Sequence, residues 1–176
     1  MQPEIPTSTS DEVGWLSEEQ MIEVDRVMIE DLGIELIQMM ENAGRYLAQL
    51  VVSRLAPRSV TVLAGSGGEL APVPRHRYEI LRRMGVSIVP EPRWSDVVVD
   101  ALIGYSLNGA PRGWIGELIE MIDSVGERDV SLDTPSGLNV TDGSTPGAVV
   151  KADITMTLAL PKRGLRFATQ GRVVRR

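Results

Sequence analysis

Apolar side chains recur at three- and four-residue intervals through Leu36, Met39, Met40, Ala43, Leu47, Leu50 and Val51. That is the spacing of one helix face, and it predicts a long amphipathic helix over 36–55. Upstream, Ser17-Glu18-Glu19-Gln20 has the form of a capping box, which predicts a shorter helix from there to about residue 30, with Gly33 as the break. Gly44 lies inside the long helix, where glycine costs about 1 kcal/mol relative to alanine. The expectation there is a close approach by another backbone or a ligand, or simply tight helix packing. Beyond Pro57 the pattern changes to short apolar runs bounded by turn residues, at 59–64, 96–103, 129–132 and 152–160. These read as buried strands, with 86–89 extended and helices over 75–84 and 114–125 between them. Strands alternating with helices predict α/β architecture: a doubly wound, mostly parallel, Rossmann-like sheet with helices on both faces and right-handed crossovers. Residues 1–14 are polar and aperiodic and read as a flexible arm; 15–176 fit a single domain.

Composition changes this picture little. With 43% hydrophobic and 24% charged residues the chain is ordinary globular material. Its apolar runs are strand-sized and its start lacks a basic stretch leading into an apolar one, so no membrane span and a cytoplasmic location are expected. A formal charge of -6 disfavours nucleic-acid binding through phosphate neutralisation. The absence of cysteine excludes disulfides and thiolate chemistry, and the single His76 makes a histidine-rich zinc site implausible.

The candidate chemistry lies where strands stop. Ser131-Leu132-Asp133-Thr134-Pro135-Ser136-Gly137 ends an apolar strand abruptly, with Pro135 restricting Thr134 and Gly137 permitting a turn. Asp133 thus stands at a strand's carboxyl end, the position where open α/β sheets form crevices. An Asx-turn that merely caps local amides is the alternative. Asp100 ends the preceding strand, and one helical crossover joins the two, so both carboxylates and Ser136 should share one rim of the sheet. Two neighbouring acids can divide acid/base work or jointly hold a cation. After the first strand, Gly65-Ser66-Gly67-Gly68 suggests a phosphate cradle, although it leads into Glu69 and two prolines rather than straight into a helix.

The ordered combination of Val99-Asp100-Ala101-Leu102-Ile103-Gly104, Leu107-x-Gly109-x-x-Arg112-Gly113, Leu132-Asp133-Thr134-Pro135-Ser136-Gly137-Leu138, Asp142-Gly143, Ala152-Asp153 and Thr157-Leu158 resembles the NAD(P)H-hydrate epimerase family, or YjeF N-terminal domain. Met39-Met40-Glu41-Asn42-Ala43-Gly44 is similar too, and the likeness runs from about Met21 to Leu165. The resemblance implies a metabolite-repair isomerase that interconverts the R and S forms of hydrated nicotinamide dinucleotides, NADHX and NADPHX. It implies that Asp133 contacts substrate as acid/base, and that Asp100 and Ser136 hold one potassium ion per subunit. It further implies that Gly104, Tyr105, Ser106, Leu107, Asn108, Gly109, Ala110 and Arg112 border the substrate, with Gly65, Gly67 and Gly68 on its phosphates. Homodimers formed through the N-terminal helices are implied as well. Members of that family follow the first strand with a loop like Gly-x-Gly-x-Asn-Gly-Gly-x-Gly, a helix and a second strand. Here Gly68 passes directly to Glu69, so roughly one α/β unit and the asparagine of the potassium site have no counterpart. Residues 171–176 end where the family has a further strand. This departure supports a second reading, a non-catalytic nucleotide- or RNA-binding scaffold of the same fold.

Overall fold

The computed structural model describes residues 14–64, 72–89, 91–107, 109–167 and 172–175. The N-terminal arm, Gly65, Gly67, Gly68 and Asn108 lie outside the described residues. Helix α1 (Glu18–Arg26) starts as its sequence dictates: the Ser17 hydroxyl accepts from Gln20 N–H, and the Gln20 side chain accepts from Ser17 N–H at 2.9 Å. The winding then loosens into a π turn, Val27–Asp31, and reverses at Gly33, whose φ of +66° favours glycine. Helix α2 (Leu36–Leu55) follows and stops at Ala56 in left-handed geometry. Gly44 on α2 has open space around it, so no other described part of the chain packs closely there.

Among the described residues, five strands build one parallel sheet in consecutive order. They are β1 (Val60–Ala64), β2 (Val97–Ala101), β3 (Asp129–Leu132), β4 (Ile154–Thr157) and β5 (Arg172–Arg175). Helix α3 (Pro72–Arg83) lies between β1 and β2, and α4 (Gly113–Val125) between β2 and β3. Alternation along β2 sorts its side chains to two cores. Val97 and Val99 pack with Leu47, Leu50 and Val51 of α2, Val130 and Met156. Val98 and Leu102 pack with Leu118, Ile119 and Ile122 of α4. Helices therefore cover both faces, as the alternation of elements predicts. Each of these buried aliphatic side chains contributes about 1.5–3 kcal/mol relative to exposure, and together they fix the central strands whose ends carry the chemistry.

The two flanks of the sheet differ from expectation. The segment 86–89 joins no ladder, and Val86, Ile88 and Val89 stay partly exposed. That leaves β1 as an edge strand with Val60 and Val62 open to solvent. At the opposite flank, the last residues of the chain supply β5, a strand the sequence reading did not anticipate.

Candidate functional site

Asp133 is the residue at which β3 stops. Its N–H still donates to Met156 O of β4 at 2.7 Å, but its φ of 71° is left-handed, and the chain turns away from the sheet. A non-glycine residue in that region costs about 1–2 kcal/mol, and strain of this kind is retained where the surroundings over-determine it, chiefly at functional sites. Gly137 completes the turn at φ +97°, where a Cβ would stand 2.1 Å from Ala148 O, so only glycine fits. Ser136 O accepts from Val150 N–H at 2.9 Å and secures the loop.

The Asp133 carboxylate is buried and is not a local cap. Oδ1 pairs with the Lys162 ammonium and accepts from Leu158 N–H at 3.2 Å. Lys162 is fully buried, and its other contacts are Leu158 O at 2.9 Å and Thr157 Oγ1 at 3.3 Å. Oδ2 has no hydrogen-bond partner among the described residues and faces Gly104, where a Cβ would come within 3.6 Å of it. The ion pair thus orients the carboxylate and leaves one oxygen toward the loop after β2.

Asp100, at the end of β2, is just as buried and receives four hydrogen bonds. Oδ1 accepts from the Ser136 hydroxyl at 2.6 Å and Leu102 N–H at 3.2 Å; Oδ2 accepts from the Ser131 hydroxyl at 2.7 Å and Ser136 N–H at 2.9 Å. Burial pushes its pKa above the ordinary carboxylate range, outweighing the opposite pull of those donors. Ser136 Oγ also accepts from Ile103 N–H at 2.8 Å and lies 3.2 Å from Ile103 O. A carboxylate, a hydroxyl and a carbonyl oxygen therefore meet at one point, a hard donor set that suits an alkali cation. No three His, Cys, Asp or Glu side chains converge among the described residues. Thr134 Oγ1, buried beside Asp133, has no hydrogen-bond partner among the described residues and is a further unused oxygen at this rim.

The loop after β2 closes the third side. Tyr105 donates its hydroxyl to Asp25 of α1 at 2.5 Å, and its pKa is raised, first by burial and then by Asp25, with Asp133 and Glu18 adding to the effect. Gly104, Ser106, Gly109 and Arg112 are exposed, whereas Leu107 and Ala110 are half-buried. Asp100, Asp133, Ser136, Gly104 and Tyr105 are thus gathered as the sequence suggests. Lys162, Ser131 and Asp25 were not foreseen. Lys162 carried one signal: like Asp100 and Asp133, it follows the carboxyl end of an apolar strand.

The family model described as YjeF-related protein N-terminus matches residues 69–164. A protein of Dehalogenimonas lykanthroporepellens named NAD(P)H-hydrate epimerase is 38% identical, the alignment covering 82% of this chain and 74% of that one. A Hyperthermus butylicus protein named bifunctional NAD(P)H-hydrate repair enzyme Nnr is 36% identical over 81% of this chain, which spans 34% of that longer protein. In three dimensions the crystal structure of a yeast protein shares the fold, with a TM-score of 0.78 at 20% identity over 93% of this chain and 87% of that one. The chain belongs to the YjeF N-terminal-domain family, that of the NAD(P)H-hydrate epimerases.

Proposed function

We propose that this chain is an isomerase that interconverts the R and S forms of hydrated NADH or NADPH, with Asp133 as its acid/base group. The observation that carries the reading is the orientation of that carboxylate: Oδ1 is held by buried Lys162 while Oδ2 faces the loop at Gly104. Epimerisation at a carbon bonded to both a hydroxyl and a ring nitrogen proceeds by loss and return of water. In the reacting state a proton taken up on Oδ2 passes to the hydroxyl, the C–O bond breaks with loss of water, and the nitrogen lone pair stabilises the resulting cation. The flat ring then turns its other face to Asp133, and water adds there while giving a proton back to the carboxylate. A single group serving both steps must stay in one place throughout, which the ion pair and the left-handed backbone of Asp133 ensure. Tyr105, tied to Asp25, holds the loop of Gly104, Ser106, Leu107, Gly109, Ala110 and Arg112 at the same rim.

Asp100, Ser136 and Ile103 O would hold a potassium ion, which supplies fixed positive charge beside the dinucleotide. Relatives bearing the epimerase name support the substrate assignment. Exposed Ile22, Ile29, Leu32 and Leu36 on the N-terminal helical segments support a homodimer through that face. The charge balance and lack of cysteine fit the cytoplasm; no helix among the described residues is long and apolar enough to cross a membrane. Relative to the family, this chain lacks an α/β unit between Gly68 and Glu69. The match to the family model begins at residue 69, and the 180 positions aligned with the Dehalogenimonas protein outnumber the residues this chain contributes, both in support. Among the described residues β1 is an edge strand, beside which such a unit would pair.

The test is conversion of the R epimer to the S epimer in a mixture of hydrated dinucleotides with potassium present, resolved by chromatography. Turnover above the spontaneous rate is expected, with loss of most of it in a folded Asp133→Ala protein. Wild-type turnover in that variant would remove Asp133 from the mechanism. Binding of the dinucleotide without conversion would favour the scaffold reading.

A further inference from the structure

Beside Lys162, in the segments that follow β3 and β4, the chain carries a cleft of about 600 Å3 lined by Trp15, Thr141, Asp142, Arg163, Arg166 and Phe167. We propose that this cleft is a second small-molecule site, one that takes a nucleoside monophosphate. Its volume is that of a ligand pocket. Its walls are set by packing. Phe167, although 62% exposed, is braced against Gly143, where a Cβ would stand 2.7 Å from Phe167 Cβ. Gly164 N–H donates to Val140 O at 2.6 Å, and Asn139 Oδ1 accepts from Thr141 and Asp142 N–H at 2.9 and 3.3 Å. Leu16 pairs on both sides of Lys162, with its N–H on Pro161 O and its O accepting from Arg163 N–H, which fixes Trp15 beside the turn at 163–166.

The lining matches the parts of a mononucleotide. Phe167, 62% exposed, offers a face for a base, and Arg166 stands with its guanidinium 5.6 Å from the centre of the Trp15 ring. Among the described residues, neither Arg163 nor Arg166 makes an ion pair within 4.0 Å, although Glu19 lies near enough to Arg163 to feel its charge. Two such guanidiniums on a chain of net charge -6 are suited to bidentate contact with phosphate. The exposed Asp142 carboxylate accepts from Ser144 N–H at 2.8 Å, which fixes it at the edge of the cleft. The Thr141 hydroxyl accepts from Glu18 N–H and keeps its own hydrogen to donate.

This site uses neither Asp133 nor Lys162, so it stands or falls separately from the epimerase reading. Calorimetric titration of the whole chain with adenosine 5′-monophosphate, to about 5 mM, should show one saturable site per chain. Adenosine and inorganic phosphate, titrated in parallel, should each bind at least about tenfold more weakly, since each offers half of the recognition. Arg166→Gln and Phe167→Ala should weaken binding by about tenfold or more with unchanged melting temperature, whereas Asp133→Asn should leave it intact. Absence of saturable binding would overturn the proposal. So would phosphate binding as tightly as the nucleotide, which marks a plain anion patch. Displacement of the nucleotide by hydrated dinucleotide, or its loss in Asp133→Asn, would also overturn it by merging the two sites.

Discussion

Replacing Lys162 by methionine isolates the interaction that orients Asp133. Methionine keeps the length of the lysine stem, with sulfur in place of Cδ, and removes the ammonium group. In the native protein the ammonium is fully buried and serves Asp133 Oδ1, Leu158 O and Thr157 Oγ1. Its loss leaves a buried carboxylate with Leu158 N–H as its one remaining donor among the described residues. Breaking one side of a buried pair costs about 3–5 kcal/mol. At about 2–4 °C per kcal/mol for a chain of this size, the midpoint should fall by roughly 6–20 °C. Urea unfolding gives the same quantity as a lower midpoint at constant slope. The decisive control is Asp133→Asn combined with Lys162→Met. With both charges gone, much of the penalty should return as a coupling of about 0.5–3 kcal/mol. A single-variant cost below about 1 kcal/mol, or strict additivity in the cycle, would refute the claim that the two groups are one buried unit.

Asp100 should give stability a pH dependence of defined sign. Its folded pKa lies above the unfolded value, so its contribution is complete below the unfolded pKa, about 3.9, and is lost as pH rises through the folded one. The stability of the wild type relative to Asp100→Asn should therefore decline as pH climbs from that point; a flat or rising difference in urea midpoints would contradict it. Ser136→Ala removes a donor to Asp100 and leaves Ile103 N–H unpaired, at a cost of about 1–3 kcal/mol read from chemical denaturation. In an ultraviolet titration read as the difference from Tyr105→Phe, Tyr105 should ionise above the ordinary tyrosine range, because burial and Asp25 both oppose its anion, and Asp25→Asn should lower it. Titration of Tyr105 in the ordinary range, unmoved by Asp25→Asn, would argue against the Tyr105–Asp25 contact.

Legibility in the sequence followed the range of the forces involved. The capping box at Ser17, the helix 36–55 and the central strands are local patterns, and they appear where their side-chain spacing places them. Asp100, Asp133 and Ser136 were legible because a carboxylate that ends an apolar strand is an uncommon local event, and neighbouring strands bring two such ends together. The segment 86–89 has strand-like residues without a strand, since a ladder depends on a partner and none adjoins it among the described residues. Strand β5 was missed for the converse reason. Its residues carry little apolar signal, and its place comes from pairing with β4.

Lys162 shows why a site of this kind requires the whole sheet. A lysine after Pro161 in a short basic stretch reads as surface, yet its ammonium has no exposure and its partner lies 29 residues upstream. The two meet because β3 and β4 pair in the register Leu132 to Met156, which places the turn after β4 beside the stop of β3. That register is itself held by Val130 and Met156 in the core under α2. Strain at Asp133 and a buried ion pair are both costs that a marginally stable domain must offset elsewhere. Here the offset comes from the apolar faces of the same strands. The hydrophobic pattern that makes the fold legible is therefore also what holds the least legible residue, Lys162, against the most legible one, Asp133.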